Sequence, residues 1–175
     1  SLTYTFTNQP GTTSYSSTTP PTAVGSYYVT PSAAVFSSGG SGNYASVTYN
    51  SGTYIIAPAT LSAPTAITAS SVSGSSTSLK IAFTNAANAT SYTARIYLAS
   101  DGTTLIATAT SYTSNTAITG LSAGTAYKVT LTSVGDASYA DSSASALSGS
   151  ISTLSAAAAA TITSPASVSK TVGDS

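Results

Sequence analysis

The stretch of residues 115–134 constrains the fold of this 175-residue chain more than any other part of it. Its second half alternates apolar with polar residues, in the order Tyr127, Lys128, Val129, Thr130, Leu131 and Thr132. This period of two predicts a half-buried strand, and we expect Ile118 and Leu121, before the turn at residues 122–125, to point into a core. A tyrosine just after such a turn predicts a tyrosine corner, in which the ring is buried and the hydroxyl bonds to the turn backbone.

The chain carries very little charge, with four basic and four acidic residues and a formal net charge of zero. Charged residues make up 5% of it, against about 25% in an ordinary soluble domain. No basic patch exists to neutralise phosphates, so we expect no nucleic-acid partner, and no apolar run is long enough to span a bilayer. Weak repulsion between copies favours self-association, or association with neighbouring modules of the same protein.

The residue types that are absent narrow the chemistry further. The sequence has no Cys, Met, Trp or His, which excludes disulfides, thiol redox reactions and Cys/His metal centres. Twelve Tyr and many β-branched residues argue for ordered β structure rather than disorder. Together with the abundance of Ser, Thr, Ala and Gly, this composition favours a secreted or cell-surface protein of bacterial type. The missing Met suggests a mature chain or an excised fragment.

Residues 1–61 are interpreted as a first β unit. Strands are predicted at residues 2–7, 25–30 (closed by Pro31), 33–36, 44–49 and 53–57, with a hairpin turn at residues 50–52. The proline before AVGSYYVT, the GNY loop and the SGTYII strand resemble the MBG family. That resemblance implies a small β module from the tandem arrays of large bacterial surface proteins, here incomplete at its N-terminus.

Residues 62–154 are interpreted as a second unit of seven short strands, typical of an immunoglobulin-like sandwich. The strands are expected near residues 67, 78–83, 92–98, 103–110 and 146–153, with two more, one on either side of the turn at residues 122–125, within the stretch 115–134. Ala63 and Pro64, SLKIAF, YTARIY and GLSAGTAYKVTL resemble a fibronectin type III domain, with Phe83 where that family commonly has Trp. The predicted fold class is therefore all-β, with tandem immunoglobulin-like sandwich modules and no significant helix.

Residues 155–175 are too few to bury a core of their own. They are interpreted as a linker followed by the opening strand of a further module, or as a strand donated to a neighbouring subunit. In the first case the chain is a piece of a longer tandem protein. In the second it is a whole subunit whose last segment completes the first unit of its neighbour.

Catalytic chemistry finds little support, and no catalytic, cofactor-binding or metal-binding residue is assigned. Asp101 precedes a glycine and is interpreted as a turn residue, while Asp136 and Asp141 share one loop that is either simply solvated or a weak calcium site. A nucleophilic Ser or Thr would need a base, and Lys80 and Lys128 are expected to be outward-facing and solvated. The prediction is that the protein is not an enzyme and uses no cofactor.

One asparagine and several tyrosines in predicted loops remain as candidates for carrying or contacting a partner. Asn88 begins an Asn-Ala-Thr pattern and is a weak candidate for glycosylation. Four tyrosines are expected in the core, namely Tyr4, Tyr54, Tyr92 and Tyr127. Three lie in predicted loops, where exposed rings could stack on sugars or fill an interface, namely Tyr15, Tyr112 and Tyr139.

The function that these features favour is that of a non-enzymatic extracellular structural protein. The chain would supply modules of a bacterial cell-surface stalk, adhesin or self-assembling filament, with strand exchange between subunits as one mode of assembly. The alternative is an accessory or carbohydrate-binding region of a secreted enzyme. Both interpretations reach function by analogy of fold, since β-sandwiches host many activities.

Overall fold

The computed structural model describes residues 2–9, 15–33 and 48–158. Within these ranges all of the regular secondary structure is β-strand and none is helix, which confirms the all-β class. In chain order the strands are β1 (Thr3–Asn8), β2 (Ser16–Ser17), β3 (Gly25–Ser32), β4 (Gly52–Ile56), β5 (Ala59–Thr60), β6 (Thr65–Ser71), β7 (Leu79–Thr84), β8 (Ser91–Leu98), β9 (Leu105–Ala109), β10 (Ala117–Ile118), β11 (Ala126–Val134), β12 (Tyr139–Ala140) and β13 (Ile151–Ser152).

The first four strands form one antiparallel sheet in the order β2-β1-β3-β4. β3 does not stop before Pro31, as predicted, but continues to Ser32, with Pro31 opposite Tyr4 in β1. The strand predicted at residues 44–49 is not seen at residues 48–49, which are described but belong to no strand. The rest of that predicted strand, residues 44–47, lies outside the described residues. So do residues 34–36 of the strand predicted at residues 33–36.

The prediction that Tyr4 and Tyr54 are core residues is wrong, because their side chains are 48% and 37% exposed. The strand register places both on the same face as the buried residues Phe6 and Tyr27. The ring of Tyr54 meets that of Phe6 edge-on, at 5.4 Å between centroids. Among the described residues no second sheet covers this face, so burial is confined to its middle.

The remaining strands from β6 onwards, apart from β12, form two antiparallel sheets, ordered β10-β7-β6 and β13-β11-β8-β9. Seven strands in two such sheets make an immunoglobulin-like sandwich, the architecture that fibronectin type III domains share. The predicted sandwich fold is therefore confirmed.

The sandwich core follows from the alternation along its strands. Each central strand turns every second side chain inward, and these residues are fully buried: Leu79, Ile81, Ala94, Ile96, Val129 and Leu131. Phe83 is only half-buried, and its ring packs edge-on against Tyr92 at 4.7 Å between centroids. The Phe83 ring, which is smaller than the Trp expected from the fibronectin type III resemblance, thus packs against an aromatic neighbour at the margin of the core.

The corner before β11 has the predicted form. Tyr127 is 1% exposed, and its hydroxyl accepts a hydrogen bond of 3.0 Å from the backbone N–H of Ser122. Ile118 and Leu121 are buried beside it, as expected. The tyrosine corner is confirmed, and it fixes the direction in which β11 enters its sheet.

Tyr112 was predicted to be exposed in a loop, and this is wrong. It is 5% exposed, and its hydroxyl accepts a hydrogen bond of 2.9 Å from Ile81 N–H and donates one of 2.5 Å to Thr116 C=O. The loop between β9 and β10 folds this ring inward, where its hydroxyl reaches the backbone of β7 at Ile81. Burial also raises the pKa of the Tyr112 hydroxyl.

The last strand is shorter than predicted. In place of a strand over residues 146–153, only Ile151 and Ser152 form one, as β13. The residues before them run beside β11 and bond to it partly through serine side chains, as with Ser145 and Leu131. A serine hydroxyl replaces a backbone acceptor there, so the segment does not have the regular pairing that defines a strand.

Candidate functional site

The loop of residues 135–141, which follows β11, is built around a glycine. A Cβ on Gly135 would lie 1.9 Å from the carbonyl oxygen of Tyr139, so any other residue there would force the loop apart. Gly135 N–H donates to Asp141 Oδ1 at 2.9 Å, and Asp136 N–H donates to Tyr139 C=O at 2.8 Å. These bonds close the loop into a compact turn.

Asp136 and Asp141 are brought into the same loop, and both serve its backbone. Asp136 Oδ1 accepts hydrogen bonds from Ser138 N–H at 2.8 Å and Tyr139 N–H at 3.0 Å. Calcium needs about six to eight oxygen ligands. In the part of the chain that the structure describes, no group of three or more Asp, Glu, His or Cys could hold a metal ion. The two carboxylates are therefore best explained as loop-shaping residues.

This loop holds the segment that joins the first sheet to the sandwich. β12 pairs in parallel with β5, so that Tyr139 lies opposite Ala59 and Ala140 opposite Thr60. Leu61 N–H donates to Ala140 C=O at 3.0 Å, and the Leu61 side chain is buried. The connection between the two units is thus a hydrogen-bonded strand rather than a free tether.

Further contacts surround this junction. Ser133 Oγ donates to Ser62 C=O at 2.8 Å, and this bond attaches the segment that follows β5 to the end of β11. A cavity of about 400 Å³ lies between the end of the first sheet and the loop, and it is lined by Thr22, Ala23, Val24, Ala57, Ala59, Ala137, Ser138 and Tyr139. All of these side chains are uncharged, so the junction is held by shape and backbone pairing.

The chain leaves the sandwich at the tyrosine corner, where it is also held. Thr153 Oγ1 accepts from Thr125 N–H at 3.1 Å and donates to Ser122 C=O at 2.7 Å. Gly124 N–H donates to Leu154 C=O at 3.0 Å. β11 connects this exit to the entry, and its nine residues span roughly 27 Å. Entry and exit are therefore fixed at opposite ends of one well-ordered strand.

A groove of about 550 Å³ lies beside the loops that follow β7 and β9. It is lined by Asn85, Ala86, Ala89, Thr90, Ser91, Tyr92, Ser111, Tyr112, Thr113 and Ser114. Four of its polar side chains, those of Asn85, Ser91, Ser111 and Thr113, make no hydrogen bond within the described ranges. They could bond to a ligand, whereas no charged side chain lines the groove.

Asn88 lies in the same loop as Asn85. It is exposed and has a left-handed backbone, with φ of 63°, a conformation that asparagine tolerates well. Thr90, which completes its glycosylation pattern, donates from Oγ1 to Val134 C=O at 3.1 Å and to Gly135 C=O at 3.0 Å. The amide of Asn88 is accessible, and its glycosylation stays a prediction.

Three further tyrosines, Tyr15, Tyr92 and Tyr139, are at least partly buried. Tyr92 is buried, as predicted, and its hydroxyl accepts from Ala86 N–H at 2.9 Å. Tyr15 and Tyr139 are half-buried rather than exposed. The Tyr15 ring meets that of Tyr27 edge-on at 5.8 Å, and its hydroxyl donates to Thr19 C=O at 2.7 Å.

The sequence predicts that Lys80 and Lys128 are fully solvated, but both are half-buried. Lys80 lies opposite Ala117 on β10, and Lys128 lies opposite Tyr97 on β8. Long aliphatic stems can cover neighbouring side chains while the charged ends reach water, which explains the intermediate exposure. Neither lysine lies in the groove or at the junction.

No protein-family profile matches the chain, and no curated protein sequence matches it. The chicken CNTN1 FN1-FN3 domains are similar in structure, with a TM-score of 0.47 and 14% identity over 87% of this chain and 53% of that one. A two-domain fibronectin type III segment from chicken tenascin has a TM-score of 0.46 and 16% identity over 87% and 83%. The structure of FN3tt mut has a TM-score of 0.38 and 24% identity over 54% and 94%.

This chain thus spans about half the length of the first of these structures. The assignment of the sandwich rests on its own sheet order. Among the described residues no helix is long and apolar enough to cross a membrane.

Proposed function

We propose that this chain is a non-catalytic, extracellular structural protein or part of one, in which β modules are joined rigidly to span distance. The observation that carries the proposal is the paired junction between β5 and β12. A free linker lets adjacent domains reorient, whereas backbone pairing and the buried Leu61 oppose that motion. Stiff connections are what a stalk, an adhesin or a filament subunit requires.

The finer assignments belong to the same proposal. We assign residues 1–61 to an MBG-like module of a bacterial surface protein and residues 62–154 to a fibronectin type III-like module. Residues 155–175 would lead into a further module or pair with a neighbouring subunit. The uncharged, hydroxyl-rich surface supports association with neighbouring modules, because little electrostatic repulsion opposes it.

The proposal is tested by ¹⁵N relaxation of the whole chain in solution. If the junction is rigid, amides of β3 in the first sheet and of β8 in the sandwich report one common rotational correlation time. Separate, shorter correlation times for the two units would show independent tumbling. That result would remove the basis for a spacer function.

A second candidate function is that of an accessory or carbohydrate-binding region of a secreted enzyme. It is favoured by the groove, which offers uncharged polar side chains that have no hydrogen-bond partner among the described residues, such as Ser111 and Thr113. Neutral sugars present the complementary hydroxyls. Titration with neutral oligosaccharides, compared between the native chain and a Ser111→Ala/Thr113→Ala variant, distinguishes the candidates, since a purely structural module shows no saturable binding.

A further inference from the structure

The segment of residues 142–150 covers the free edge of β11 in an unusual way. Three serines, Ser142, Ser145 and Ser148, recur at intervals of three and are called the serine ladder below. Their backbone N–H groups donate to alternate carbonyls of β11, with Ser142 to Ser133 at 3.0 Å, Ser145 to Leu131 at 2.8 Å and Ser148 to Val129 at 2.9 Å.

The return hydrogen bonds come from β11 to the serine side chains. The N–H groups of Ser133, Leu131 and Val129 donate to the Oγ atoms of Ser142, Ser145 and Ser148, at 2.9, 3.0 and 3.0 Å. In an ordinary antiparallel pair a backbone carbonyl would be the acceptor. Each serine hydroxyl in turn donates to the next carbonyl along its own segment, those of Ser143, Ala146 and Gly149.

The spacing explains why the segment is not a strand. Ladder serines are three residues apart, while their partners on β11 are two apart, so every repeat holds one extra residue. Two residues of β11 span about 6.8 Å, and three residues fitted to that length cannot be fully extended. The outer side of the segment therefore lacks the regular row of N–H and C=O groups on which another strand could pair.

Edge strands commonly avoid aggregation through lysines, prolines or inward-pointing charges. Residues 142–152 contain neither a charged residue nor a proline, and only 5% of the whole chain is charged. β11 is nine residues long and carries much of the core, so its bare edge would be a good template for another strand. Protection of this edge from strand pairing must therefore come from backbone geometry rather than from charged side chains.

We propose that the serine ladder closes the β11 edge against strand addition by a second copy of the chain. This goes beyond the structural role proposed above, because it concerns how copies are kept apart at one particular edge and holds whether or not the junction is rigid. Without the three hydroxyls, the N–H groups of Val129, Leu131 and Ser133 lose their acceptors, and the segment loses half of its bonds to β11. The uncovered edge then accepts a strand from another copy.

The test compares two triple variants of the full chain. Ser142→Ala/Ser145→Ala/Ser148→Ala removes the ladder hydroxyls. Ser143→Ala/Ser150→Ala/Ser152→Ala is the matched control, because these three serines are exposed and their hydroxyls make no hydrogen bond within the described residues. Hydrogen exchange is followed at the amides of Val129, Leu131 and Ser133, and sedimentation velocity is measured over a range of concentrations.

We expect exchange at those three amides to accelerate about five- to tenfold in the ladder variant, and its average mass to rise with concentration. The control should match the native chain in both measurements. Faster exchange without a rise in mass above that of the control would overturn the proposal, and so would unchanged exchange.

The single variant Ser145→Ala keeps the test decisive if the triple variant does not fold. It removes the central hydroxyl only and leaves the bonds of Ser142 and Ser148 in place. Faster exchange centred on Leu131 together with association above that of Ser143→Ala supports the proposal. Absence of either effect contradicts it.

Discussion

The hydroxyl of Tyr112 lies 2.9 Å from the backbone nitrogen of Ile81, and the N–H of this core strand donates to it. Through this bond a loop residue completes the hydrogen bonding of β7, and the same hydroxyl donates to Thr116 C=O in its own loop. The loop between β9 and β10 is thereby attached to the core. The buried tyrosine also forms part of the wall of the candidate groove.

Tyr112→Phe should destabilise the sandwich while keeping the ring in place. The substitution leaves the N–H of Ile81 and the C=O of Thr116 without this partner, which costs about 1–3 kcal/mol of unfolding free energy. Chemical denaturation gives the value. Tyr97→Phe is the matched control, because the Tyr97 hydroxyl makes no hydrogen bond within the described ranges, and it should change stability little. Equal effects of the two substitutions would refute the role given to Tyr112.

Alkaline pH should destabilise the native chain through the same residue. Burial raises the pKa of Tyr112 above its ordinary value of 10.0, so the folded state disfavours the phenolate that the unfolded state forms readily. The stabilisation is complete below pH 10 and is lost as pH rises through the folded-state pKa. Denaturation midpoints measured between about pH 9 and 11 should fall more steeply for the native chain than for Tyr112→Phe. Parallel curves would contradict the prediction.

Acid should weaken the turn after β8. The Thr104 hydroxyl, followed by the N–H groups of Thr104 and Thr103, lowers the pKa of Asp101 to about 2 from 3.8. A lowered pKa gives stability that is present above 3.8 and is lost as pH falls through about 2. An NMR titration of the Asp101 carboxyl measures this directly. The Asp101→Asn variant should lose this acid dependence, and a midpoint for Asp101 near 3.8 would refute the assignment.

The sequence predicted the parts of the fold that depend on local pattern. Alternation along β11 and the position of Tyr127 after a turn were enough to predict a buried strand and a tyrosine corner. Both signals lie within about ten residues of one another, and each has one stable structural solution.

The errors concern burial that depends on a second layer or on the reach of a loop. Tyr4 and Tyr54 alternate as core residues do, yet no sheet covers them within the described residues. Tyr112 follows a strand in a stretch of turn formers, and only its distance to Ile81 in space makes it a core residue. Sequence spacing carries no information about either relationship.

The junction and the serine ladder were also missed, for different reasons. Pairing of β5 with β12 joins residues about eighty positions apart, and neither two-residue strand has a pattern of its own. The ladder did leave a signal, a serine at every third position from Ser142 to Ser148. In a chain so rich in serine that interval looks like composition until its partners on β11 are known.

The rigidity of the junction is the central claim, and a distance distribution between the two units tests it most directly. The chain has no cysteine, so Thr53→Cys and Thr108→Cys place single spin labels on exposed positions of the first sheet and the sandwich. Electron–electron double resonance is then measured with and without Gly135→Ala. Gly149→Ala serves as the control, because a Cβ on Gly149 meets no atom within 4 Å. We predict one narrow distribution for the native and Gly149→Ala chains and a broad one for Gly135→Ala; a broad distribution in the native chain would contradict the account.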